Sequence, residues 1–199
     1  SKGIIPIYEP GLEEIIKKGL KNDRLKFISD LSLAVSDKEF VFLMFDTKVD
    51  ENDKTDLSEI FRSVNQFAGS LKNNCIILNT SQIPVGTSEE IVKLIKSINP
   101  NINVSIVYSP ENLRLGEAIK LYFNPSLPVI GSNDKKSLDR IENLLKPLNV
   151  KWHKVNLRTA EFCKHALNSF LATTISFANE IGNLCDEVGA DGFEIAKAL

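Results

Sequence analysis

The sequence predicts an α/β fold, a mostly parallel sheet flanked by helices and followed by one long helix. Three observations predict it. Short apolar runs alternate with segments of helical spacing as far as Val155. The run Phe40-Val41-Phe42-Leu43-Met44-Phe45 is continuously apolar rather than alternating, as expected of a strand covered on both faces. From Arg158 the period becomes helical for good, with Phe162, Ala166, Phe170, Phe177, Ile181, Leu184, Cys185 and Val188 carrying more apolar surface than a solvent-facing helix needs.

Taken in order, Pro10 suits a first helical turn, Leu12, Ile15 and Ile16 have helical spacing, and Gly19 is placed to end that helix. Lys26 to Ile28 reads as a short strand, Leu31 to Val35 as a turn of helix, and Glu39 to Phe45 as a strand. Asp56-Leu57-Ser58-Glu59 has capping-box spacing and opens a helix through Ile60, Phe61, Val64, Phe67 and Ala68. The strand Cys75 to Leu78 follows. Thr87-Ser88-Glu89-Glu90 repeats the box before Ile91, Ile95 and Ile98, and Asn99-Pro100-Asn101 closes that helix. Val104 to Tyr108 and Pro128 to Ile130 are strands, Lys135 to Lys146 is a helix stopped by Pro147, and Trp152 to Val155 is the last strand. The long helix then runs from Arg158 to Val188 with Gly189 as its cap, and Asp191-Gly192 starts another. The sheet so described is Rossmann-like but incomplete, because no strand precedes the first helix and no G-x-G-x-x-G occurs among the ten glycines. The 199 residues are therefore expected to be a fragment of a longer protein.

Composition narrows the function. Lys and Arg number 24 against 26 Asp and Glu, a net charge of −2, so no concentrated basic surface is available for nucleic acid or an anionic membrane. Cys75, Cys163 and Cys185 are odd in number and lack C-x-x-C spacing, which fits reduced, buried thiols of a cytoplasmic protein and no metal site. Ser1 to Pro10 has no charged-then-apolar signal layout, and His165 to Asn179 is too short and polar to span a bilayer.

Three segments can carry chemistry. Asn79 to Thr87 follows a strand and leads into a capped helix, where ligands bind in parallel sheets and helix N–H groups meet anions; it is equally a plain connecting loop. Tyr108 to Glu117 also follows a strand, and Pro110 can aim Glu111 across the strand ends as a general base; the plain alternative pairs Arg114 with Glu111 or Glu117 on a solvated loop. Lys164 and Asn168 are i and i+4 on the long helix, with Glu161 one turn earlier on the same face. They are either its wet side or a cleft-facing pair able to hold an oxyanion and position a hydroxyl. His153 and His165 read as structural.

Four collinear blocks resemble the nucleotide-sugar dehydrogenase family, the UDP-glucose/GDP-mannose 6-dehydrogenases. They are Pro6 to Glu14, Thr80 to Thr87, Ser109 to Arg114, and Ala160-Glu161-x-x-Lys164-x-x-x-Asn168 continuing to Asp191. The resemblance implies residues 1–156 as a partial NAD-binding domain and 157–199 as a truncated central helical region that dimerises through 158–188. It also implies a nucleotide-sugar substrate whose C6 alcohol is oxidised to the acid by two hydride transfers to NAD, through a thioester on a cysteine. Carried over, Lys164 stabilises the oxyanion, Asn168 bonds the reacting oxygen or a water, and Glu111 is the base for hydrolysis. Thr47, Ser81 and Gln82 touch the NAD, and Asn112, Leu113 and Arg114 line the sugar nucleotide with Lys164 and Asn168. Gln82 stands where the family has Thr, and its amide can replace a water-holding hydroxyl, so it joins the catalytic set; Leu115 replaces an acidic residue and Lys48 a proline. None of the three cysteines has the catalytic context, so the piece alone is expected to be inactive. The rival readings are another hydroxy-acid dehydrogenase with Lys-x-x-x-Asn on a long helix, against which the Ser109-Pro110-Glu111 loop counts, and a non-catalytic dimerising or nucleotide-binding module.

Overall fold

The computed structural model describes residues 5–52 and 54–198. Five strands, β1 (Phe40–Leu43), β2 (Cys75–Asn79), β3 (Val104–Tyr108), β4 (Val129–Gly131) and β5 (His153–Val155), form one sheet in sequential order β1-β2-β3-β4-β5. The β1/β2, β2/β3 and β4/β5 pairs are parallel, and β3/β4 is antiparallel with Tyr108 opposite Gly131. Helices make the crossovers, α3 (Ser58–Phe67) between β1 and β2, α4 (Thr87–Ile98) between β2 and β3, and α6 (Lys135–Leu145) between β4 and β5. The α/β expectation holds, and the continuous apolar run contains β1, but not as a strand covered on both faces. It lies at the end of the strand order, Phe40 and Val41 are half-buried, Phe42 and Met44 are exposed, and Leu43 alone is buried, whereas all five residues of its neighbour β2 are buried.

The alternation of side chains divides the core in two. Ile76, Leu78, Val107 and Ile130 meet Leu138, Ile141 and Leu145 of α6, with Phe40, Leu148 and Trp152 against them. Ile77 and Ile106 take the opposite face, where α4 packs on β3 and contributes buried Ile91 and Ile95. Each such side chain is worth about 1.5–3 kcal/mol of burial.

Several local expectations need correction. Lys26 to Ile28 forms no strand, and Phe27 and Ile28 are exposed, since a strand needs a neighbour and none of the described residues supplies one. The first helix, α1 (Leu12–Lys21), passes through Gly19 and ends at Asn22. Gly19 serves a close approach instead, because a Cβ there would lie 3.0 Å from that of Leu25. Helix α2 (Leu31–Val35) forms as expected, capped by Asp30. Helix α5 (Ala118–Phe123) was unforeseen: it is short, and none of its residues is fully buried, so it has no strong apolar period to read.

Helices α7 (Leu157–Val188) and α8 (Gly192–Ala198) end the chain. Two compact units divide within α7, Ser1–Phe162 and Cys163–Leu199. In the second unit, Gly189 takes φ 71°, Ala190 N–H donates to Cys185 C=O at 2.9 Å, and Asp191 Oδ1 accepts the N–H groups of Phe193 and Glu194. Phe170, Ile175, Phe177 and Phe193 of this unit are exposed. No helix among the described residues is long and apolar enough to cross a membrane.

Candidate functional site

The carboxyl ends of β1, β2 and β3 converge, and their loops are bonded to one another. Ser81, just past β2, is the fastener. Its Oγ accepts the Phe45 N–H at 2.8 Å, its N–H donates to Asn79 Oδ1 at 3.1 Å, and its carbonyl accepts the Tyr108 hydroxyl at 3.1 Å. With 3 % of its surface exposed, Ser81 turns its hydroxyl into the protein, whereas the sequence reading had it meet a cofactor. Thr47 Oγ1 donates to the Gln82 carbonyl at 2.6 Å, which leaves the exposed Gln82 amide unconstrained by that bond. Thr47, Ser81, Gln82, Thr80, Met44 and Glu111 line a common depression of about 250 Å³.

Glu111 sits between this depression and a smaller, deeper cavity walled by Asn112, Leu113, Tyr122 and Trp152. Half-buried, its carboxyl is pushed above the usual glutamate range by loss of water, against a hydrogen bond with Thr80 that pulls the other way. The Tyr122 phenol on the same wall is pushed up by burial and by the Glu111 charge. A carboxyl with its affinity for protons raised is suited to take and release one. Arg114 is exposed and pairs with neither predicted partner: Glu111 bonds Thr80, and Glu117 pairs with Lys120 at 3.5 Å.

Two buried carboxylates complete the scaffold, and sequence reasoning missed both roles. Glu9, 8 % exposed, accepts the Gly116 N–H at 2.8 Å and the Ile119 N–H at 3.2 Å, so it pins the loop after Glu111 and starts α5. The acidic residue in the otherwise uncharged Tyr8-Glu9-Pro10-Gly11 turn was its only local signal. Glu161 accepts the Gly86 N–H at 2.6 Å and the Ser88 N–H at 2.9 Å. It therefore caps α4 in place of the expected Thr87-to-Glu90 box, whose Thr87 hydroxyl instead donates to Pro84 C=O at 2.7 Å. The anion-binding reading of the α4 N-terminus falls with this, because its Gly86 and Ser88 N–H groups are already held. The reason is electrostatic, since a carboxylate from a distant helix meets the positive end of the α4 dipole better than a local hydroxyl does.

Lys164 and Asn168 lie one turn apart on α7 in the second unit. Lys164 is half-buried, and burial pulls its ammonium below the usual lysine value; Asn168 is exposed. Cys75 is buried with its thiol pushed up to about 11, Cys185 is buried, and Cys163 is half-buried, so Cys75 at least is no nucleophile. Among the described residues no group of His, Cys, Asp and Glu can hold a metal.

Residues 1–149 match the family model of the UDP-glucose/GDP-mannose dehydrogenase NAD-binding domain, and residues 158–199 match that family's central domain. The chain belongs to the UDP-glucose/GDP-mannose dehydrogenase family. Among characterised members, the chain is similar to a UDP-glucose 6-dehydrogenase, YwqF, of Bacillus subtilis, 36 % identical over 199 residues, covering 100 % of this chain and 45 % of the relative. Among solved structures it is similar to a GDP-mannose dehydrogenase from Pseudomonas aeruginosa, with 30 % identity, TM-score 0.90 and coverage of 99 % and 47 % of the two chains. A UDP-glucose dehydrogenase from Pyrobaculum islandicum gives 29 % identity, TM-score 0.90 and coverage of 98 % and 46 %. The chain thus spans about half the length of the dehydrogenases it matches.

The family's dinucleotide fits these residues at one end only. Met44 offers an apolar wall, and Thr47 and Gln82 offer polar groups at the strand ends, a donor set suited to a flat ring bearing an amide. The α4 N–H groups, which would suit a pyrophosphate, are already held by Glu161.

Proposed function

We propose that this chain is the middle portion of an NAD-dependent nucleotide-sugar 6-dehydrogenase, which oxidises the C6 alcohol of a UDP- or GDP-hexose, or of a UDP-N-acetylhexosamine, to the uronic acid in two hydride transfers. One observation carries the reading: Glu111, with its proton affinity raised, lies at the strand ends on the same depression as Thr47 and Gln82. Bound NAD would supply the hydride acceptor. Thr47 and Gln82 bind its reactive end, with Ser81 holding their loop in shape. Glu111 takes a proton from the attacking water in the hydrolytic step. Lys164 holds the developing oxyanion at C6, Asn168 bonds the reacting oxygen or a water, and Asn112, Leu113 and Arg114 line the sugar nucleotide. Gln82 supplies an amide where the family has a hydroxyl, and it keeps a water in position by donating and accepting hydrogen bonds.

The exposed apolar residues Phe170, Ile175 and Phe177 are covered by a second copy in a homodimer built on the 158–188 helix. The reaction belongs to the cytoplasm, where NAD and nucleotide sugars occur, without nucleic acid or membrane. The test is NADH formation by the whole enzyme carrying this chain, offered UDP-glucose, GDP-mannose and UDP-N-acetylhexosamines in turn. Activity with at least one is expected, and none from the 199-residue piece alone. An inactive whole enzyme overturns the reading.

A further inference from the structure

We infer that Glu161 is a positioning residue for the reaction, holding the 80–86 loop, and with it Gln82, in the one arrangement that the site uses. The inference rests on the functional reading above. The Glu161 side chain has no exposed surface, and both its oxygens are used, by Gly86 N–H at 2.6 Å and Ser88 N–H at 2.9 Å. Gly86 adopts φ 98°, a backbone conformation open to glycine, so the donor is shaped for this contact.

The first turn of α7, which carries Glu161, is itself immobilised within the same unit. Arg158 grips Glu89 of α4 with one guanidinium edge, Nε and Nη2 donating to the two carboxylate oxygens at 3.0 and 2.8 Å. Ala160 rests on β4 so closely that a Cβ on Gly131 would fall 2.2 Å from its own. The 80–86 loop therefore runs between two fixed points. Ser81 is locked to β1 and β3 at one end, Gly86 is locked to Glu161 at the other, and Gln82 lies between them bonded to Thr47.

Stability accounts for part of this contact, since an apolar side chain of the same size would strand both N–H groups. What the carboxylate adds is direction: two N–H groups fixed at known positions. It also fills the α4 N-terminus with an internal anion, so this loop does not compete for the phosphates of a bound nucleotide.

The test compares Glu161→Gln with the unaltered whole enzyme for kcat, KM and thermal midpoint, and follows amide exchange at Gly86 and Ser88. Gln keeps the volume but presents an amide NH2, a donor, to one of the two N–H groups. We expect kcat to fall about 10- to 100-fold from misplacement of the loop, with KM for the nucleotide sugar changed less than about twofold, and faster exchange at both amides. A core variant remote from the loop, Ile141→Val, with a comparable thermal loss keeps its kcat. If Glu161→Gln does not fold, Glu161→Asp, which withdraws the carboxylate by one methylene, is read in the same way. A variant that loses thermal stability but keeps kcat overturns the assignment and leaves the functional reading standing. An unaltered enzyme that reduces no NAD overturns both.

Discussion

Glu9 and Gly116, 107 positions apart in the chain, are joined by a 2.8 Å hydrogen bond from the Gly116 N–H to the Glu9 carboxylate. A second bond from the Ile119 N–H reaches the other oxygen. The segment before α1 is thereby the support on which the loop following Glu111 is built. Charge-assisted bonds to a buried carboxylate contribute about 1.5–3 kcal/mol each, and removing the carboxylate strands two donors. Glu9→Ala is expected to lower stability by about 2–4 kcal/mol in urea unfolding and to weaken nucleotide-sugar binding in the whole enzyme. Unchanged stability would show that the two bonds do not persist in solution.

Glu111 trades stability for chemistry. Burial is the first cause of its raised proton affinity, so the folded state holds its proton more tightly than the unfolded chain does. The sign follows: between the ordinary glutamate value of 4.5 and the higher folded value the native state binds more protons, and stability falls as pH rises through that window. Glu111→Gln should therefore melt at the same or a higher temperature near neutral pH, an advantage that disappears below 4.5, while the whole enzyme loses the hydrolytic step. The Tyr122 phenol should titrate closer to the ordinary tyrosine value in this variant, because one of the two causes raising it has gone. A melting temperature reduced equally at every pH would contradict this account.

Gly131 tolerates no side chain. An added methyl would meet Ala160 Cβ at 2.2 Å and the Asn156 carbonyl oxygen at 2.9 Å, and neither the helix nor the backbone can yield cheaply. Gly131→Ala is expected to cost about 1–3 kcal/mol by overpacking, read as a shift of the denaturation midpoint at constant m-value.

The second unit is the proposed dimer surface. Phe170 and Phe177 are 66 % and 57 % exposed in the single chain, too much apolar area to leave in water at one place. Light scattering should find a dimer in the whole enzyme, and the double change Phe170→Asp, Phe177→Asp should give a monomer. A monomeric unaltered enzyme would remove the basis for the proposal.

Legibility of the sequence differed by element. β2 and β3 were readable because nearly all their residues are buried and apolar, with Ser105 and Asn79 the exceptions in residue type. The short strands β4 and β5 were readable to within one position at each end. Lys26 to Ile28 has only two apolar residues and is unpaired, because strand formation depends on a neighbour the local sequence does not contain. The residues of the candidate site followed from motif resemblance. Their surroundings did not: that the Ser81 hydroxyl faces inward depends on Phe45, 36 positions away.

By itself the sequence determined the alternation of strands and helices, the long apolar α7 and the family, since these rest on residue type at short spacing. Only the tertiary structure decided what the buried carboxylates do. Glu9 and Glu161 look like surface residues of a turn and a helix face, and both are buried on backbone N–H groups 107 and 75 positions away. The physical reason is that a charge is buried only where donors converge on it, and convergence of groups so far apart in the chain is a property of the fold.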